Sequence, residues 1–108
     1  MAKNLTVTVL LDFYGELLTE KQNEALVLYY NDDCSLAEIA EIMSVSRQGA
    51  RDFIKRGEAL LTGFEEKLGL AGRFVKISKS IDSLIELARK NNISYEFIKP
   101  LEEIKSNL

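Results

Sequence analysis

Residues 35–56 read SLAEIAEIMSVSRQGARDFIKR, and they hold two helix starts with a break between them. Ser35 stands three residues before Glu38. Its hydroxyl can accept from the Glu38 amide while the carboxylate reaches back to the Ser35 amide, so a helix is expected to begin there. Leu36, Ile39, Ala40 and Met43 recur at spacings of three and four, one apolar stripe opposite Glu38 and Glu41. Ser44-Val45-Ser46 interrupts the period. Ser46 then caps a second helix whose inward face is Ala50, Phe53, Ile54 and Gly57, and whose outer face carries Arg47, Gln48, Arg51, Asp52, Lys55 and Arg56. Ala40 is small where the two helices pass, and Val45 points into the angle between them. Two helices joined by three or four residues make a helix-turn-helix. Many such turns carry Gly where this chain has Ser44, a position that often needs a left-handed backbone.

Outward from that pair the same reasoning predicts helices throughout. Leu60, Leu61, Phe64 and Leu68 prolong the stripe of the second helix, and Gly69 is placed to end it in a left-handed cap. Gly49, Gly57 and Gly63 each cost such a helix about 1 kcal/mol relative to alanine. Close approach to another helix or to a nucleic-acid backbone would explain Gly49 and Gly57. Upstream, Val7, Leu10, Leu11, Tyr14, Leu17 and Leu18 share one helical stripe over 5–18, thickened by Val9 and Phe13. Thr6 to Val9 alternates like a strand but has no partner strand. Thr19 with Gln22 forms another capping box, opening a short helix with Ala25, Leu26, Leu28, Tyr29 and Tyr30. Downstream of a Gly69–Gly72 break, Phe74, Ile77, Ile81, Leu84, Ile85 and Ala88 run to Asn91-Asn92. Ser94 can cap a short turn, and Pro100 suits the first position of a last helix bearing Leu101, Ile104 and Leu108. The expected fold is all-α, with five or six helices. A helix-turn-helix domain spans 1–72, and an extension over 73–108 either packs on it or forms a dimer interface.

Composition narrows the chemistry. The 108 residues have no histidine and one cysteine, so a disulfide framework is excluded and Ser-His or histidine-metal chemistry is disfavoured. No nucleophile–base pair, phosphate-cradling Gly loop or metal-ligand spacing is present, and no enzyme, metal or cofactor is expected. The N-terminal MAKNLTVTVLLDFYGELL lacks a cleavage site and is interrupted by Asp12 and Glu16, so neither a signal peptide nor a membrane span is expected and a cytoplasmic protein is the default. The net charge is −3, distributed unevenly. Residues 1–45 hold two lysines against eight carboxylates. Between Ser46 and Gly57, Arg47, Arg51, Lys55 and Arg56 face Asp52 alone. The most basic segment of an acidic protein is the second helix of the pair, which suits a local phosphate contact rather than a broad electrostatic sheath.

The chain closely resembles the YlxM-like family of small bacterial helix-turn-helix proteins encoded beside signal recognition particle genes. The residues that carry the resemblance are LLDFYGELLTEKQ at 10–22, LYY at 28–30, CSLAEIAE at 34–41, VSRQGARDFIKR at 45–56 and EEKLGL at 65–70. The motif core is also similar to region 4 of bacterial sigma factors, on Leu36, Glu38, Ile39, Ala40, Val45, Ser46, Arg47 and Arg51. Residues 73–108 are weakly matched. The resemblance implies a regulatory protein acting in signal recognition particle-dependent targeting, with DNA, or that particle's RNA, as the nucleic acid. It also allows a second function, a protein-interaction module that binds the particle and modulates its assembly or GTP turnover.

The expected nucleic-acid site is Ser46, Arg47, Gln48, Arg51, Lys55 and Arg56. Arg pairs with guanine and Gln with adenine by paired hydrogen bonds, while the serine, Lys55 and Arg56 suit phosphates. A merely solvated face is the alternative. Asp52 is expected to pair with Lys55 or Arg56. Tyr14, Tyr29 and Tyr30 are read as core rather than as a stacking platform, and Cys34 as an inert thiol beside Asp32 and Asp33. A partner surface, for a second copy of the chain, is expected on Phe74, Ile77, Ile81, Leu84, Leu101 and Ile104, with folding back over the chain's own core as the alternative.

Overall fold

The computed structural model describes residues 5–108. Residues 1–4, where the N-terminal segment read for a leader begins, lie outside that range. Six α-helices run in order: α1 Leu5–Tyr14, α2 Glu20–Leu26, α3 Leu36–Met43, α4 Arg47–Leu68, α5 Leu70–Lys90 and α6 Tyr95–Ser106. There is no strand among the described residues. The chain is all-α, and it divides into two compact units at the Gly69–Leu70 junction.

In the first unit α4 is the common partner of α1, α2 and α3. Leu26, Ile39, Ala50 and Leu61 are completely excluded from solvent, and Tyr14 nearly so, which puts one side chain or more from each helix into a shared core. Gly57 marks the tightest approach. A Cβ there would lie 2.6 Å from Leu26 Cδ1, so the missing side chain lets α2 and α4 close on each other. Gly49 is explained by its own helix start, because a Cβ would sit 3.2 Å from the Ser46 hydroxyl and 3.5 Å from Val45 Cβ. Gly63 has nothing near it, and no contact accounts for it.

The local signals are realised where they depend on residues three apart. Ser35 and Glu38 exchange hydrogen bonds of 3.1 and 3.0 Å, and Thr19 and Gln22 do the same at 3.2 and 3.1 Å. Ser44 ends α3 at φ 57° and ψ 44°, the left-handed conformation expected of that position, and Gly69 ends α4 at φ 64°.

Five expectations are corrected. The first helix does not run to Leu18. It tightens to a 3₁₀ turn at Gly15–Leu17, which shifts the phase of the stripe, so Leu17 is 59% exposed while Leu18 enters the core. The helix after Thr19 widens to a π turn at Val27–Asn31, setting Tyr29 inward and Tyr30 against α4 with their rings edge to face. The extension of the α4 stripe is uneven, for Leu61 is buried, Phe64 half-buried, and Leu60 and Leu68 exposed. Finally, α5 begins directly after Gly69, and Pro100 lies inside a single helix capped by Ser94 rather than opening a new one. Proline there, sixth of the twelve residues, removes one helical hydrogen bond, and nearby Ile98 is buried.

In the second unit α5 and α6 form a helical hairpin around Ile81, Ile85 and Ile98, with Ala88 and Leu101 packed against that cluster. On the outside the hairpin is tied by Arg89 with Glu102 and Lys105 with Asp82.

Candidate nucleic-acid interface

The interface candidate is built on the start of α4. Ser46 adopts an extended conformation, and its hydroxyl oxygen accepts from the Gly49 amide at 2.9 Å, which leaves the hydroxyl proton available to donate. Helical geometry, at about 100° per residue, then fixes the directions of the side chains beyond it. Arg47, Arg51 and Lys55 fall within roughly 80° of one another on one stripe, Gln48 lies beside them, and Arg56 is about 180° round from Arg47. All five are exposed. The structure therefore brings Arg47, Gln48, Arg51 and Lys55 together and sets Arg56 on another side of the helix.

The charges on that stripe are not neutralised internally. Among the described residues no ion pair engages Arg47, Arg51, Lys55 or Arg56. The acids beside them are engaged elsewhere. Asp52 does not pair with Lys55 or Arg56. Its Oδ1 accepts from Gln48 Nε2 at 3.0 Å, one helical turn back, where the shorter neutral side chain reaches the carboxylate without giving up the solvation of a cation. Glu58 accepts the hydroxyl of Tyr30 at 2.5 Å. Burial first, and then that carboxylate, push the Tyr30 hydroxyl well above its ordinary value of 10, so it stays a donor.

A groove of about 360 Å³ runs along the same stripe, lined by Tyr29, Leu36, Arg51, Ile54, Lys55 and Glu58. Arg47 lines a shallower depression with Asp33, Ser35 and Glu38, of which Glu38 is already held by the Ser35 amide. Sequence reasoning missed Glu58 and the part played by Tyr30. The only signal was the Tyr29-Tyr30 doublet itself, because the pair it makes with Glu58 spans 28 positions. Tyr14 and Tyr29 are core residues, as expected. Tyr14 is 1% exposed and donates to Glu65 at 2.6 Å. Cys34 is half-buried, its sulfur 3.9 Å from the Asp32 carbonyl.

Residues 1–104 match the family described as "Putative helix-turn-helix protein, YlxM / p13 like", UPF0122. The chain belongs to that family. A UPF0122 protein of Thermoanaerobacter sp. strain X514 is 47% identical over 103 residues, covering 93% of this chain and 88% of that protein. One from Halalkalibacterium halodurans is 48% identical over 102 residues, covering 94% of each. A third, from Clostridium novyi, is 40% identical and spans all of this chain and 96% of its own. The α3–α4 pair is the helix-turn-helix of this UPF0122 chain. Among the described residues no helix is long and apolar enough to cross a membrane, and no cluster of three or more acids or cysteines is placed to hold a metal.

The six apolar residues expected as a partner surface do not form one surface. Ile81 is 6% exposed and belongs to the hairpin's own core, since α6 packs over it, and Phe74 and Leu101 are half-buried. Ile77, Leu84 and Ile104 are exposed.

Proposed function

We propose that this chain is a regulatory DNA-binding protein, and not an enzyme, that inserts the first three turns of α4 into the major groove. Arg47, Gln48 and Arg51 read base edges there. Ser46 and Lys55 hold phosphates on the near wall of the groove, and Arg56, on the far side of the helix, meets the other strand. One observation carries this: an exposed cationic stripe is left without internal ion pairs while two of the acids beside it, Asp52 and Glu58, are occupied by Gln48 and Tyr30. Gln48 keeps its second amide proton and its oxygen for a base while bonded to Asp52.

The double substitution Arg47→Ala with Arg51→Ala is expected to weaken duplex binding about a hundredfold or more, since each paired contact is worth about 1–3 kcal/mol. Both side chains are exposed, so the melting temperature should not move. Fluorescence anisotropy across a salt series provides the check, because phosphate contacts make affinity fall with salt. Wild-type protein with no salt-sensitive duplex binding would overturn the proposal. The family resemblance favours the signal recognition particle pathway as the setting of this regulation. There the same stripe would face the particle's RNA or an acidic protein surface, and retention of that particle, but not of duplex DNA, by immobilised wild-type protein would favour this second reading.

A further inference from the structure

The α5–α6 hairpin has two unlike faces. One carries Asp82, Glu86, Arg89, Glu102 and Lys105, including both ion pairs. The other holds an uncharged groove of about 370 Å³ lined by Leu84, Leu87, Ala88, Asn91, Ile93 and Leu101. At about 100° per residue, Phe97 and Ile104 fall on the same stripe of α6 as Leu101, and so extend this apolar face. Leu84, Leu87, Ile93, Phe97 and Ile104 are 50, 58, 44, 69 and 50% exposed. We infer that this face binds the same face of a second copy, joining two hairpins into a four-helix bundle.

Area, charge and shape select that partner. The hairpin encloses three large side chains, Ile81, Ile85 and Ile98, and a unit of about 40 residues with so small a core usually needs a further source of burial. Each exposed side chain offers on the order of 100 Å², so these five supply about 500 Å², the larger part of the roughly 800 Å² that each partner gives to a standard interface. Charge excludes two other classes of partner. A nucleic acid or an anionic lipid surface would require lysines or arginines among these residues, and the groove has none. An uncharged face can meet its own copy without setting like charges together. The face is also self-complementary, for it has a protruding ring, Phe97, and a groove roomy enough for one, as a two-fold contact requires. Neither α4 nor its cations enter into this, so the dimer and the nucleic-acid site stand or fall separately.

Sedimentation equilibrium of the full chain at tens of micromolar is expected to give twice the 12.2 kDa chain mass. Leu87→Glu combined with Phe97→Glu should raise the dissociation constant about a hundredfold or more, whereas Glu86→Ala, on the charged face, should leave it unchanged. Should the double variant lose helical circular dichroism, the milder Phe97→Ala serves, with about a tenfold rise expected for removing a packed ring. Wild type at the single-chain mass would overturn the inference, whatever else covers the face. So would a dimer indifferent to both Leu87→Glu/Phe97→Glu and Phe97→Ala.

Discussion

The α3–α4 pair and the α5–α6 hairpin are each two amphipathic helices joined by a short turn, yet they present opposite surfaces. α4 is packed by three other helices, buries Ala50, Ile54 and Leu61, and shows solvent mainly charge. α5 shares a core with α6, buries Ile81 and Ile85 there, and shows solvent Leu84 and Leu87. Both helices have apolar residues at spacings of three and four. What differs is how much of the stripe is covered. A stripe covered only in part has an uncovered margin, and that margin is where a partner is expected.

The largest test of the contrast is core truncation. Leu61→Ala, at a site with no solvent exposure, should cost about 3–5 kcal/mol, while Ile81→Ala, in a cluster of three that can relax, should fall near 2 kcal/mol. Urea unfolding measures both. Equal costs would mean that the hairpin core is as confined as the first unit's.

A middle-sized effect concerns the link between the π turn and α4. Tyr30→Phe removes the hydroxyl held by Glu58 and should cost about 1 kcal/mol near neutral pH. The pH dependence has a definite sign. The folded Tyr30 ionises above the ordinary value of 10, so wild-type stability is intact below pH 10 and declines above it, where the unfolded chain alone loses its proton. Thermal melts between pH 9 and 11 should show this decline shallower in Tyr30→Phe. An identical alkaline slope in both proteins would remove Tyr30 as the group responsible.

The smallest expected effect is at the turn of the helix-turn-helix. Ser44→Gly should stabilise the chain by up to about 1 kcal/mol, because glycine adopts φ 57° without the steric cost that a Cβ incurs. A loss of stability in the same melts would show that the serine side chain does more at that turn than its backbone conformation requires.

Much of the first unit was legible because its signals are local. A serine or threonine three residues before a glutamate or glutamine, a left-handed position after a stripe, and a basic run on one helix face can all be read from neighbours in the chain. The site was legible as a set of cations and not as a site. That Asp52 turns to Gln48, and that Glu58 is taken by Tyr30, depends on rotamers and on a contact made across the core. The 3₁₀ and π turns were hidden as well, since apolar spacing cannot register a change of helical pitch until the packing that selects it exists.

The amino-acid sequence by itself determined that this chain is all-α, where most helices start and stop, and which helix carries concentrated positive charge. These are set by hydrogen bonds and periodicities within a few residues. Tertiary structure alone decided which half of each apolar stripe is covered, which acids are withdrawn from the cations of α4, and that the α5–α6 hairpin has a charged face and an apolar one. Those outcomes depend on which distant helices meet, and burial is a property of the meeting rather than of either helix.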